Sequence, residues 1–170
     1  MIAPAPAKYI FMIIDNTYFE KDPIYISGIA NRKDDKPTAL AQALIDSANS
    51  YIAIYEPRFL RNLLGEALAE TAEENPQIVA LLRNEAVKTS PIANYVYFYW
   101  LRTHTTVGTP AGEKVQRGEY SDEASPRIRA IEVWNDMVRQ CCVLRPKLVE
   151  LGAVPDYCSA IFEPANLFGL

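Results

Sequence analysis

The side chains that most often carry chemistry are few in this sequence. His104 is the single histidine, and the cysteines are Cys141, Cys142 and Cys158. One histidine excludes a zinc site built on two or three histidines of this chain, and a Ser-His-Asp triad would have to use His104. At the end of an aromatic helix, that histidine is more simply a partner of the helix dipole. The cysteines form no CxxC pair, so we predict reduced thiols, with one of the adjacent pair in the core and one at its boundary.

Two carboxylate pairs are spaced closely enough to act together. Glu66 and Glu70 lie four residues apart, which places both on one face of a helix. That face lies opposite a leucine stripe, so a solvated acidic surface is the simpler interpretation. Asp34 and Asp35 could bind a cation, although neighbouring carboxylates are common in loops. Residues 108–112 (GTPAG) lack the Lys-Ser/Thr pair and the preceding strand of a phosphate-binding loop. We therefore predict no enzymatic activity, no metal site and no cofactor.

Composition limits the class of protein further. The chain has 170 residues, 49% hydrophobic and 11% aromatic, which is enough for one domain with a buried core. Its 17 basic and 21 acidic residues give a formal charge of -4, which disfavours a strongly basic nucleic-acid-binding face. No stretch approaches 18 apolar residues without a charge, so we expect no membrane span.

The spacing of apolar residues predicts an all-α domain, a compact bundle of about five helices. Ser90-Pro91 and Ser125-Pro126 each pair an N-cap with a proline at the first helical position, and Gly152 is a predicted C-cap. Apolar residues recur every three or four positions in each predicted helix. The helices are expected from Pro37 to an end or bend at Pro57, over residues 59–68, 77–87 and 92–102, and from Pro126 to a kink or end at Pro146.

The rest of the chain predicts two arms and a loop around this bundle. Residues 1–36 have few helix signals and are interpreted as an extended N-terminal arm, with short extended segments at 9–14 and 23–26. Residues 37–152 are the bundle, interrupted by a long loop at 103–125 that is too long for a passive connection and allows a hairpin over 113–120. Residues 153–170 form an apolar C-terminal tail that we expect to dock on a protein surface.

Three blocks of the sequence resemble the head–tail connector (adaptor) proteins of tailed bacteriophages. The first is residues 53–68, AIYEPRFLRNLLGEAL, and the second is residues 90–100, SPIANYVYFYW. The third combines Gly108 and Gly112-Glu113 in the loop with Ser125-Pro126 and the Trp134-Asn135 helix. The blocks span about residues 53–138, half of the chain, while the N-terminal arm and the tail carry no motif of that group.

The resemblance implies a structural virion protein rather than an enzyme. Such proteins form a ring of identical subunits under the portal protein and follow its twelve-fold symmetry. They extend the DNA channel, with DNA only in transit, and present a surface to the tail or the next ring. The mixed charge of this chain fits a conduit, because phosphate affinity grows with each neutralising Lys or Arg. The expected location is the head–tail junction of the virion, with no membrane contact.

The resemblance also implies roles for two segments. The C-terminal residues 155–170 would dock on the portal or on a neighbouring subunit, with anchors at Ile161, Phe162, Leu167 and Phe168. The loop over residues 105–124 would face a neighbouring subunit or the channel, and its expected contact residues are Gly108, Gly112, Lys114 and Arg117.

Three alternatives remain open from the sequence. One is a tail-completion protein or a ring further down the tail. Another is a small helical regulator or enzyme that uses His104 or the cysteines. The third is a plain helical domain whose arms fold back on its own surface.

Overall fold

The computed structural model describes residues 12–104, 106–109, 112–115 and 126–166. It confirms the predicted all-α class, with five α-helices in that part of the chain. They are α1 (Ala39–Leu64), α2 (Glu66–Ala69), α3 (Pro76–Leu82), α4 (Pro91–His104) and α5 (Pro126–Glu150). The aromatic helix α4 is central, because it packs against both α1 and α5.

Helix α1 is longer than the sequence predicts. Thr38 caps its start, with the side-chain oxygen accepting a hydrogen bond from the Ala41 N–H at 3.3 Å. The helix continues through Pro57, so the prediction of separate helices on either side of that proline was wrong. A proline inside a helix costs about 3 kcal/mol. Buried residues on both sides of Pro57, from Ile52 to Leu63, hold the two halves in one helix against the core.

The first described segment, residues 12–36, lies against these helices. Residues 12–36 contain a 3₁₀ turn (Asn16–Phe19), and a small hairpin of β1 (Arg32–Lys33) and β2 (Lys36–Pro37) follows. The predicted extended segment at residues 23–26 forms no strand, since residues 23–24 are in a turn and bend and residues 25–26 are irregular, whereas residues 9–11 lie outside the described part. The buried side chains of this segment join the same core as the helices; they are Ile13, Ile14, Tyr18, Phe19, Ile24, Ile26 and Ile29.

Helices α3 and α4 are joined by a tight turn. Asn75 caps α3 by accepting from the N–H groups of Gln77 and Ile78. The helix ends at Leu82 rather than at the predicted Val87. Residues 84 and 89 then form an isolated β-bridge, so the backbone pairs with itself instead of extending the helix. Ser90 connects the two helices, since its hydroxyl donates to the Leu82 carbonyl at 2.7 Å and accepts from the Ile92 N–H at 3.1 Å. The predicted cap at Ser90-Pro91 is confirmed.

Helix α5 passes through a proline before it ends. A kink or an end is predicted at Pro146, but the helix does not end there, because it continues to Glu150. Leu148, in the last turn of the helix, is fully buried and holds this part against the core. Gly152 is the predicted C-cap, with φ +94°, where the left-handed backbone favours glycine. The N–H of Ala153 bonds to the Leu148 carbonyl at 2.9 Å, as a Schellman cap requires.

The long connection between α4 and α5 contains an antiparallel hairpin. Its strands are β3 (Thr106–Thr109) and β4 (Gly112–Val115), with Gly108 opposite Glu113. The hairpin therefore begins earlier than the predicted residues 113–120, and residues 116–120 lie outside the described part.

Candidate docking surfaces

The C-terminal segment is tied to α1 directly after the end of α5. The N–H of Val154 donates to the Leu64 carbonyl at 2.9 Å, and the N–H of Asp156 donates to the Asn62 carbonyl at 2.9 Å. Gly65 permits this close approach, because a Cβ there would lie 2.8 Å from the Val154 carbonyl oxygen. The φ of Gly65 is +82°, so both its backbone conformation and its surroundings require glycine.

The same segment then crosses α5 and is held by side-chain hydrogen bonds. Trp134 donates from Nε1 to the Glu163 carbonyl at 2.9 Å. The Asn135 side chain makes two bonds to Ala165, accepting from its N–H at 2.8 Å and donating to its carbonyl at 3.0 Å. An amide side chain that pairs in this way with one backbone residue fixes both the position and the direction of the chain. The chain therefore leaves Asn166 from a defined place beside Asn135.

Two of the four predicted anchor residues lie in the described part of this segment, and the other two lie outside it. Ile161 is 1% exposed and packs in the core of its own chain. Phe162 is half-buried, with the Arg145 guanidinium 5.7 Å from its ring centre. Leu167 and Phe168 lie outside the described residues. Residues 153–166 are thus part of the folded body.

An open apolar groove lies between α3 and α5. Its volume is about 470 Å³, and its walls include Leu81 of α3, Pro91 of α4 and Leu144 of α5. Val143 lies on its border with 70% of its side chain exposed. Arg83 and Arg139 stand at its edges. Such a combination of apolar walls and a few polar groups is typical of a surface that binds a small apolar group or a peptide.

A ladder of half-exposed tyrosines connects α1 to α4. The rings of Tyr55 and Tyr99 stack at 4.2 Å between centres, and Tyr51 stacks on Tyr55 at 5.7 Å. Tyr95 continues the ladder into the core, 4.9 Å from Tyr99, and burial raises the pKa of its hydroxyl. Offset and edge contacts of this kind each add about 0.5–1.5 kcal/mol beyond the area that they bury. These stacked rings join α1 to α4.

The histidine packs against its own helix, and of the two adjacent cysteines one is buried and one is exposed. His104 lies in the last turn of α4, stacked on Trp100 at 4.2 Å, with its Nδ1 2.9 Å from the Trp100 carbonyl oxygen. Cys141 is buried, and burial raises the pKa of its thiol to about 12, which disfavours the reactive thiolate. Cys142 is exposed, so the predicted core thiol is confirmed, while its neighbour lies on the surface rather than at the core boundary.

The carboxylate pairs lie on the surface. Glu66 and Glu70 are exposed on and just after α2, as predicted for a solvated face. Asp34 and Asp35 form the two-residue turn of the β1–β2 hairpin, with φ of 52° and 62°. Two positive φ angles are what a tight hairpin turn requires, which accounts for this acidic pair without a cation.

Sequence reasoning missed the one deeply buried carboxylate of the described residues. Glu56 of α1 is 1% exposed and accepts hydrogen bonds from the N–H groups of Ile13 at 2.6 Å and Ile14 at 3.3 Å. The Arg83 side chain also holds this segment, because it donates a hydrogen bond to the Ile13 carbonyl at 2.9 Å. Burial is the largest effect on Glu56 and raises its pKa from 4.5 to about 7, against the opposing effect of the two amides. The available signal was its spacing, four residues from both Ile52 and Leu60 on the apolar face.

Three of the four predicted contact residues of the long loop lie in the part of the chain that the structure describes. Gly108 lies in β3, and Gly112 and Lys114 lie in β4, so the hairpin brings these three together. Arg117 lies outside the described residues.

Neither a metal cluster nor a membrane span was found in the described part of the chain. There, no group of three or more His, Cys, Asp or Glu side chains could hold a metal ion. No helix in that part combines the length and the apolar character needed to cross a bilayer. Comparison with known proteins found no matching family model, no matching curated protein and no matching solved structure.

Proposed function

We propose that this protein is a head–tail connector subunit of a tailed bacteriophage, assembling as a ring below the portal and extending the DNA channel toward the tail. The proposal starts from the three sequence blocks that resemble that group. The structural observation that carries it is the C-terminal segment, which α5 holds in one defined path up to Asn166. The residues that follow, Leu167-Phe168-Gly169-Leu170, include three large apolar side chains.

A firmly held segment followed by apolar residues is a suitable docking element. Trp134 and Asn135 hold residues 163 and 165 in place, so a partner does not have to order that part of the chain. Binding is tighter when the binding element is already ordered, because less conformational entropy is lost. In the proposed role, Leu167 and Phe168 contact an adjoining subunit in the virion.

The charge of the chain is compatible with a DNA conduit. Its formal charge of -4 gives it no excess of cations to hold phosphate groups along the channel. The loop between α4 and α5 would face a neighbouring subunit or the channel, and it includes Lys114 and Arg117 beside acidic residues such as Glu113 and Glu119. Mixed charge of this kind would let DNA pass without a strong grip.

Reconstitution with the portal protein of the same virus tests this function. The two purified proteins are mixed and the complex is weighed by native mass spectrometry. We expect one connector chain per portal subunit. Binding to purified tail proteins with no binding to portal would replace this proposal with a tail-completion or tail-ring role. Binding to neither would refute both.

The structure also dictates which variant is informative. Removal of residues 155–170 would delete Ile161 from the core together with the backbone partners of Trp134 and Asn135. Removal of residues 167–170 alone leaves those contacts intact, so a loss of binding would report on docking rather than on folding. Val154→Ser is a matched control, because Val154 is 74% exposed on the same segment.

A further inference from the structure

We propose that residues 167–170 of one copy occupy the groove between α3 and α5 of a second copy. This inference deepens the proposed function and rests on it only for the closure of the contacts into a ring. It assigns the tail to a neighbouring subunit rather than to the portal.

The groove presents apolar surface that the described residues leave uncovered. Val143, which lines the groove, is 70% exposed. A volume of about 470 Å³ lies within the range of roughly 300–1,000 Å³ that is typical of ligand pockets. The residues Leu-Phe-Gly-Leu are apolar apart from their backbone, so their chemistry matches these walls.

The C-terminal segment up to Ala165 and the groove contact different sides of α5. Trp134, Val138 and Arg145 follow one line along the helix, and Trp134 and Arg145 contact the C-terminal segment. Gln140 and Leu144 face the groove, roughly a third of a turn from that line on the other side of the buried Met137. One subunit therefore presents a donor surface and a different acceptor surface, as a head-to-tail ring contact requires.

The distance to be crossed favours a second copy over the same chain. From Asn135 to Leu144 is nine residues, or about 14 Å along the axis and half a turn around a helix of roughly 10–12 Å diameter. The shortest surface path is therefore about 21 Å or more. Residues 166–170 span at most about 18 Å when fully extended. Within that length the chain's own tail could reach the near border of the groove at Arg139 and Val143, about 7 and 14 Å from Asn135, but not Leu144.

The edges of the groove carry donors for the backbone of an incoming chain. Arg139 has 70% of its side chain exposed, and Gln140 lies one residue further along α5. Guanidinium and amide N–H groups donate to backbone carbonyls. Apolar walls would then hold the side chains of the tail while these groups bind its backbone.

Photo-cross-linking of the full chain tests the contact. Benzoylphenylalanine replaces Phe168, and equal amounts of ¹⁵N-labelled and unlabelled protein are mixed before irradiation. We expect cross-links to residues 80–84 or 139–144, with pairs of labelled and unlabelled peptides present. Cross-links that join only peptides of the same isotope would place the tail in its own groove and overturn the proposal. Absence of cross-links to the groove would overturn it as well. Val154 replaced in the same way is the control, for which no groove cross-links are expected.

Complementary variants provide a second test by sedimentation velocity. Val143→Asp blocks the groove and keeps the tail, whereas Phe168→Ser weakens the tail and keeps the groove. We expect each variant alone to self-associate at least ten-fold more weakly than the natural chain, and their mixture to form 1:1 pairs without larger species. Unchanged self-association of both variants would refute the contact. Because neither test contains portal protein, its failure is distinguishable from failure of the connector role.

Discussion

Glu56 gives the sharpest prediction about the stability of the fold. Its carboxylate is buried between α1 and residues 13–14, where it accepts hydrogen bonds from the N–H groups of Ile13 and Ile14. The charged groups that face it are Glu73, which raises its pKa, and Arg83, which lowers it. Burial exceeds the other effects and raises the pKa to about 7 from 4.5. The folded protein thus binds a proton here more tightly than the unfolded chain does.

The sign and size of the pH effect follow from this difference. Because the pKa is raised by folding, the stabilisation is complete below pH 4.5 and is lost as the pH rises through about 7. One pKa unit corresponds to about 1.4 kcal/mol, so Glu56 contributes on the order of 3 kcal/mol more at pH 4 than at pH 8. Glu56→Gln removes the titration but keeps the shape. The free energy of unfolding of the natural chain minus that of the variant should therefore fall by about 3 kcal/mol over that range.

Urea denaturation at pH 4, 5, 6, 7 and 8 measures this difference. The comparison of two chains cancels the titration of all other groups, and any pH-independent cost of the glutamine shifts the whole curve equally. Glu66→Gln is the control, because Glu66 is exposed and lines a surface cavity together with Glu56. Its difference curve should be flat within about 0.5 kcal/mol. Parallel pH curves for the natural chain and Glu56→Gln would refute the reasoning.

Three other substitutions test separate contacts. Gly65→Ala should destabilise the fold by about 2–3 kcal/mol in urea denaturation, because the new Cβ clashes with the Val154 carbonyl and the φ is unfavourable for alanine. Gly152→Ala should cost only about 1 kcal/mol, because its φ is also unfavourable but nothing lies near its Cβ position. An equal loss for both would contradict the role of the close approach. Trp134→Phe removes the hydrogen bond to the Glu163 carbonyl. Amide hydrogen exchange should therefore accelerate more in residues 153–166 than in α1. An equal acceleration in both segments would contradict the holding role of Trp134. His104→Ala should leave self-association and portal binding unchanged, and loss of either in a folded variant would restore a functional role for the histidine.

Local sequence signals predicted the parts of the fold that depend on local chemistry. Ser90-Pro91 starts α4 because the serine hydroxyl accepts from the helix N-terminus, and Gly152 ends α5 because it adopts φ +94°. The same kind of rule failed at Pro57. There, buried neighbours that are distant in sequence favour a continuous helix over the local preference of proline.

The candidate docking surfaces are formed by residues that are far apart in sequence, so local patterns did not predict them. The apolar tail was recognised from composition, but only the structure shows that Ile161 is part of the core and that α5 holds residues 163–165. The groove joins residues 80–91 to residues 139–144, which no local pattern relates. Glu56 was missed from the sequence, because its amide partners lie more than 40 residues away.

Quantitative mass spectrometry of density-purified virus particles tests the central claim most directly. Peptides of this chain and of the portal protein are counted against labelled standards in the same sample. A connector ring matched to the portal predicts a ratio near one copy per portal subunit. Absence of the protein from intact particles would contradict the account.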